Sequence, residues 1–509
     1  MKVNQKIDTK CINKMIDIDF LTIGWHFIYD RKELGDLSME QASVRITGIT
    51  INNFKNIING SLSLENSRKN YRASIVGVYG QNGSGKTALI DVLELLKYAL
   101  CGKVILDKFA DFINVDSDVA TFLFDFKVKD GEETFTVSYQ FSIKSVLDTS
   151  GRNVDLNQSP ERKKRVTIFK ELLKCPILSK NKIRIGKIID TDTEQLFLPK
   201  PKKQLLVGSN KQIDTNLEVA KQLSNAQSRS FVFSREFLDT IRGTLRQTGN
   251  ADRELSFYVN LIESLVNFGN HELFIINTSN SGLISLNVQP LVFKNLDSIG
   301  TIMILLDEPT LIPKKAKDIT IKIFDAMNIV LKQIIPHLTV CIKDLGSQVL
   351  ENGEEGSRIQ LMSNKNGKEI PFSYESEGIK KIVSILHLLI IVYNQSSITV
   401  AIDELDSGVF EYLLGELLNI ISERGRGQLI FTSHNLRPLE TLDRGFIVFT
   451  TANPLNRYVR MINVKENNNL RDFYFRDIML GEQSEELYEQ TNNAEIAFAF
   501  REAGEYCGS

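Results

Sequence analysis

The chain has 509 residues, of which 42% are hydrophobic and 24% charged, and its formal net charge is −2. That composition fits a soluble globular protein of two to four domains, or one large domain with insertions. It excludes a polycation, so any nucleic-acid contact needs a local patch. Cys11, Cys101, Cys175, Cys341 and Cys507 are odd in number and widely spaced, with no C-x-x-C. They point to a reducing compartment and away from a zinc site or a disulfide framework. The N-terminus leads into no long apolar segment, and the longest apolar run, 385–393, is too short to span a bilayer. A cytoplasmic protein without membrane contact is expected.

Residues 1–43 have mixed polarity and read as an N-terminal extension. Val44-Arg45-Ile46-Thr47-Gly48-Ile49-Thr50-Ile51 alternates at the strand period, and Leu62-Ser63-Leu64 is a second alternating piece. Together they predict an antiparallel edge ahead of a core. An apolar run over 73–79 is followed by Gly80-Gln81-Asn82-Gly83-Ser84-Gly85-Lys86-Thr87 and a helix-like run over 88–96. Strand, glycine-rich loop and helix are the context of a P-loop. Glycines let the backbone N–H groups turn toward a phosphate, and the following helix N-terminus adds partial positive charge. Lys86 supplies a point charge to the outer phosphates, and the Thr87 hydroxyl an oxygen to Mg²⁺. The chain is therefore expected to bind a nucleoside triphosphate.

Two alternating runs, 120–128 and 134–143, flank Asp130-Gly131 and predict a hairpin. Residues 44–145 form the expected N-terminal lobe of the core. From 146 to 324 the pattern loosens into an expected insertion, basic first and helical after about 215. Residues 151–214 hold 15 Lys and Arg against 7 Asp and Glu. They include Arg162-Lys163-Lys164-Arg165 and Lys200-Pro201-Lys202-Lys203, which read either as a solvated surface or as a surface for a phosphate backbone. Met303-Ile304-Leu305-Leu306-Asp307-Glu308 looks like a strand ending in two carboxylates. No serine-glycine motif precedes it and no strand ending in Ser-His follows it, so it reads as a buried strand with an exposed acidic turn.

The better set lies in an expected C-terminal lobe, 325–465. Ser373-Tyr374-Glu375-Ser376-Glu377-Gly378 opens a helix. A strand over 397–402 ends in Asp403-Glu404, followed by Leu405-Asp406-Ser407-Gly408 and a helix. A second strand, from Gln428, ends in Thr432-Ser433-His434. Polar residues at the carboxyl ends of neighbouring strands are where a doubly wound sheet places its ligands. Asp403 can hold Mg²⁺ beside Thr87. Glu404 can take a proton from an attacking water, and His434 can orient that water or contact the γ-phosphate. A closing hairpin is expected near 446–462 and helices in 466–509.

These motifs resemble the Walker A, signature, Walker B, D-loop and H-loop of ABC-type ATPases. The branch is the soluble SMC-like and overcoming-lysogenization-defect-like one. Within it the compact layout resembles ATPases of bacterial anti-phage systems: Septu and retron-linked, PARIS and abortive-infection ATPases. The resemblance implies an α/β fold: an ABC-type ATPase head with a mixed sheet, an antiparallel β edge and a largely helical insertion. It implies ATP and Mg²⁺ as ligands and hydrolysis by Glu404, His434 and Lys86. Thr87, Asp403 and Gln140, the last from the Tyr139-Gln140-Phe141 strand, would serve the metal. Ser373 or Ser376, with Glu377 and Gly378, would act on the nucleotide of a second copy, and Asp406 and Ser407 would form the D-loop. A head-to-tail dimer or higher oligomer follows. After His434 there is no Asp-x-Asp pair for a Toprim nuclease, and His26, His271, His337, His387 and His434 are dispersed. The effector, a nuclease or toxin, is thus expected to be another protein encoded nearby. The implied role is an ATP-hydrolysing sensor and scaffold of a defence complex. The alternative is a DNA repair or recombination ATPase of the RecF/SMC kind, with nucleic acid meeting 151–214.

Overall fold

The computed structural model describes residues 26–30, 42–147, 164–177, 184–248, 252–277, 288–294, 298–350, 352–461, 469–480, 485–489 and 491–506. In chain order, β1 (His26–Asp30), β2 (Ser43–Phe54), β3 (Ile57–Ser63) and β4 (Ser74–Tyr79) lead to α1 (Lys86–Leu100). β5 (Val119–Asp130), β6 (Glu133–Leu147), β7 (Lys164–Ile177) and β8 (Arg184–Asp190) follow. Next come α2 (Lys200–Val207), α3 (Lys211–Ala226), α4 (Arg235–Thr248) and α5 (Arg253–Asn267). β9 (Leu273–Ile276), β10 (Val288–Lys294), β11 (Ser298–Leu305) and β12 (Thr310–Pro313) precede α6 (Lys314–Ile334). β13 (Leu338–Val349), β14 (Glu355–Lys365) and β15 (Lys368–Pro371) precede α7 (Glu377–Asn394). The remaining elements are β16 (Thr399–Ile402), α8 (Glu411–Arg424), β17 (Gln428–Thr432), β18 (Ile447–Thr450), β19 (Tyr458–Val459), α9 (Leu470–Leu480) and α10 (Asn493–Tyr506). The chain divides into two compact units, 1–37 with 280–390, and 38–279 with 391–509.

The larger unit is built on two sheets. One is antiparallel, in the order β3-β2-β5-β6-β7-β8. Its central hairpin closes with Asp130 opposite Glu133, and Gly131 takes the positive φ (+56°) that a two-residue turn needs. Alternation sends Phe122, Phe124 and Phe126 of β5 to the interior, and Val137, Tyr139 and Phe141 of β6 join them. The other sheet has the order β19-β18-β4-β17-β16-β9, with every neighbouring pair parallel except the edge strand β19. β16 and β17 are buried along their whole length, as strands covered on both faces are. One apolar core unites Ile49 and Phe124 of the first sheet, Leu89, Val92 and Leu96 of α1, and Val76, Ala401 and Ile430 of the second. Because its strands are parallel, the second sheet presents the ends of β4, β16 and β17 at one edge.

The stretch expected as an insertion, 146–324, is divided. β7 and β8 continue the antiparallel sheet, α2 to α5 are helical, and residues from 288 onward belong to the smaller unit. Five of the ten basic residues described in 151–214 pair with acids. Lys164 pairs with Asp111, Lys170 with Asp192, Lys187 with Asp190, Lys202 with Glu254 and Lys203 with Asp214. Arg162 and Lys163 lie outside the described residues. No helix among the described residues is long and apolar enough to cross a membrane.

In the smaller unit β1 and β10 flank β11 in an antiparallel sheet, and β12-β14-β13 forms another, with β15 on β14. The acidic pair Asp307-Glu308 therefore follows an antiparallel strand. The Leu305 N–H donates to Thr310 Oγ1 at 2.8 Å and closes the turn. Asp307 Oδ1 lies 2.9 Å from Lys380 Nζ, and Glu377 Oε1 lies 3.3 Å from it. The turn thus holds the first turns of α7. Asp307→Asn leaves the Lys380 ammonium, only 7% exposed, with Glu377 as its remaining acid. The expected cost of about 1 kcal/mol corresponds to a fall of roughly 2–4 °C in the melting transition of this unit, measurable by calorimetry.

Candidate active site

The loop after β4 is shaped by contacts that only glycine satisfies. Gly80 has φ +151°, and a Cβ there would sit 1.8 Å from Thr450 Oγ1. Gly85 has φ +96° at the start of α1, whose first turn carries no acid to neutralise its positive end. Lys86 Nζ donates to the carbonyls of Gly80 at 2.8 Å and Gln81 at 2.9 Å, so the ammonium folds back over the loop. Burial lowers its pKa, and the nearby Asp403, Glu404 and Asp406 oppose that fall. The Ser84 hydroxyl donates to the Gln81 carbonyl at 2.6 Å and fixes the turn. The Gln81 side chain accepts the Glu489 N–H at 3.0 Å.

Beside the loop, β16 and β17 run parallel with Ile402 level with Phe431, which brings Asp403 and Thr432 together. Asp403 is wholly buried. Its Oδ1 accepts from the Thr432 hydroxyl at 2.6 Å and from Thr87 Oγ1 at 3.4 Å. Glu404 has φ +47°, a conformation that costs a residue with a side chain on the order of 1 kcal/mol. Its N–H donates to Thr432 Oγ1 at 2.7 Å. Asp406 Oδ2 accepts from the N–H groups of His434 (3.0 Å) and Asn435 (2.9 Å), and so ties one strand end to the next. Ser407 is exposed and donates its N–H to the Glu404 carbonyl at 3.1 Å. A cavity of about 390 Å³ is lined by Asn82, Gly83, Lys86, Thr87, Asp403, Glu404 and His434 among others. The Thr87 hydroxyl and the Asp403 carboxylate are hard oxygen donors side by side. They fit Mg²⁺, which keeps several waters and needs few protein ligands. The loop N–H groups, the helix end and Lys86 fit the triphosphate.

Other cavity residues come from the end of the segment 49–55, which also resembles the start of SMC-like ATPases, and from the residue after it. Lys55 (φ +51°) and Asn56 form the tight turn between β2 and β3 and both line the cavity. The Asn56 amide donates to the Gly83 carbonyl, and Lys55 pairs with Asp91, which is buried on α1. Buried Arg457 donates to the Thr451 carbonyl (2.5 Å) and the Asn56 carbonyl (2.6 Å). The Tyr458 hydroxyl donates to the Gly85 carbonyl at 2.9 Å. Gln140 is not brought here. It is half-buried within β6, level with Leu123 and Leu172, because that strand runs on to Leu147. The strand beside Asp403 is β9: the Asp403 N–H donates to the Ile276 carbonyl at 2.8 Å. The next residue, Asn277, directs its amide to Asp91 (2.5 Å) and Glu94 (3.4 Å).

In the smaller unit Ser376 is exposed immediately ahead of α7, and its hydroxyl accepts the Ile379 N–H at 3.4 Å. Ser373 is half-buried in the turn Phe372–Tyr374. Glu375 between them is buried and accepts from the Ser363 hydroxyl at 2.8 Å. Glu377 and Gly378 form the first turn of α7.

Solved structures similar to the chain include the Smc head domain with an extended coiled coil bound to the C-terminal domain of ScpA, from Pyrococcus furiosus. It is 11% identical, with 82% of this chain and 96% of that one covered and a TM-score of 0.35. The SMC head domain from Thermotoga maritima is 13% identical, with 82% and 99% covered and a TM-score of 0.32. The recombination mediator protein RecF with ATP is 14% identical, with 77% and 94% covered and a TM-score of 0.31. No curated protein matches the sequence. Residues 75–440, more than half of the chain, match the family described as "AAA domain, putative AbiEii toxin, Type IV TA system", and the chain belongs to that family.

Proposed function

We propose that the chain hydrolyses ATP at composite sites formed head to tail with a second copy. Through that cycle it controls a separate nuclease or toxin in bacterial anti-phage defence. The observation that carries the reading is the convergence of Thr87, Asp403, Glu404 and His434 on one cavity at the P-loop. Lys86 exchanges the carbonyls of Gly80 and Gln81 for the outer phosphates. Thr87 and Asp403 would hold Mg²⁺, which would neutralise phosphate charge. Glu404 takes the proton of the attacking water, and the exposed His434 ring orients that water against the γ-phosphate. Ser376 and the N-terminus of α7, from the second copy, complete the phosphate shell. The family's link to toxin–antitoxin systems supports a role in growth control. The acid-paired lysines of 164–203 favour this reading over one in which that stretch grips DNA, whose affinity would fall steeply with salt.

Subunit mixing tests the composite site. Lys86→Met and Ser376→Arg proteins are each expected to be inactive alone. Mixed one to one, only hybrid dimers hold an intact site, one of their two, so about a quarter to a half of wild-type ATPase activity returns. No recovery on mixing would remove the head-to-tail arrangement.

A further inference from the structure

We propose that the Thr432 hydroxyl is the positioning group of the hydrolytic site, a single side chain that orients Asp403 and sets the backbone of Glu404. The proposal rests on the reading of Glu404 as the group that activates water. Thr432 is the last residue of β17 and is wholly buried. Its Oγ1 lies 2.6 Å from Asp403 Oδ1 and 2.7 Å from the Glu404 nitrogen. A hydroxyl has one proton to give and lone pairs with which to accept. The Glu404 amide is itself a donor, so the hydroxyl proton goes to the Asp403 carboxylate and the amide proton comes to the hydroxyl.

Each bond has a separate consequence. Donation to Oδ1, the oxygen that also faces Thr87, fixes the plane of the Asp403 carboxylate beside the P-loop. Acceptance from the Glu404 N–H holds that residue at φ +47°, which a residue with a side chain keeps only where its surroundings over-determine it. From that conformation Glu404 lines the cavity. The Leu405 N–H adds a bond to the Thr432 carbonyl at 3.0 Å, so three consecutive residues after β16 are tied to this one position. Without the hydroxyl, Glu404 is free to relax toward negative φ and swing its carboxylate away from the water.

The test compares full-length wild type with Thr432→Val, Thr432→Ala, Thr432→Ser and Glu404→Gln. Valine keeps the β-branched shape and loses both bonds, alanine removes the hydroxyl without adding an apolar branch, and serine keeps the hydroxyl. For Thr432→Val and Thr432→Ala, kcat is expected to fall about a hundredfold, the usual cost of misplacing a catalytic group by an ångström. ATP affinity, read by equilibrium binding of a fluorescent ATP analogue, stays within about threefold, as does kcat of Thr432→Ser. Wild-type turnover in Thr432→Val beside an inactive Glu404→Gln would overturn this proposal alone. So would equal losses in the serine and valine variants, or an affinity that falls in step with kcat. Wild-type turnover in Glu404→Gln would instead overturn the underlying reading of the site.

Discussion

Replacing Glu404 with glutamine is expected to lower ATP turnover about a thousandfold while leaving nucleotide binding intact. Glutamine has the same shape, and the Glu404 backbone is set by the Thr432 hydroxyl rather than by its own side chain, so the left-handed turn survives the change. What is lost, on the proposed mechanism, is the carboxylate that takes the proton. The Asp403 carboxylate cannot replace it, because it is wholly buried and bonded to Thr432 and Thr87. Steady-state phosphate release, set against equilibrium ATP binding, separates the two quantities. A variant that loses binding as well would show that Glu404 contacts the nucleotide in the ground state.

The second large effect belongs to Lys86. Lys86→Met is expected to weaken ATP binding about a hundredfold and to abolish turnover, the weight of one or two charge-assisted hydrogen bonds. The side chain is nearly buried and its ammonium rests on two loop carbonyls. Methionine fills the same channel but leaves those carbonyls unbonded and offers the phosphates no charge. Isothermal titration with ATP and with ADP distinguishes the outer-phosphate role. The loss should be larger for ATP than for ADP, and equal losses would mean that Lys86 only shapes the loop.

The motifs that carried these expectations are contiguous in sequence. Gly80 to Thr87, Asp403-Glu404 and Thr432 to His434 each sit at one strand end, and the strands before them are short buried apolar runs. The hairpin of β5 and β6 was equally legible, because its phenylalanines alternate around Asp130-Gly131. Other parts were hidden for physical reasons. β7 and β8 carry lysines that pair with nearby acids, so their strand period is buried under charge. The smaller unit joins β1 to β11 across more than 250 residues of chain, and β1 falls in a stretch that reads as an extension. β9 is four residues long, too short for a period, yet it brings Asn277 to the edge of the site, while Gln140 remains within β6. Thr432 was visible as part of Thr-Ser-His. Its bridging of two carboxylate-bearing residues needed the register of β16 against β17.

The most direct measurement is mass photometry of the Glu404→Gln protein with and without ATP and Mg²⁺. The account predicts a monomer without nucleotide and a stable doubling of mass with it, reversed in Lys86→Met and Ser376→Arg. A protein that stays monomeric with saturating ATP, or that doubles without it, would contradict the composite ATP site.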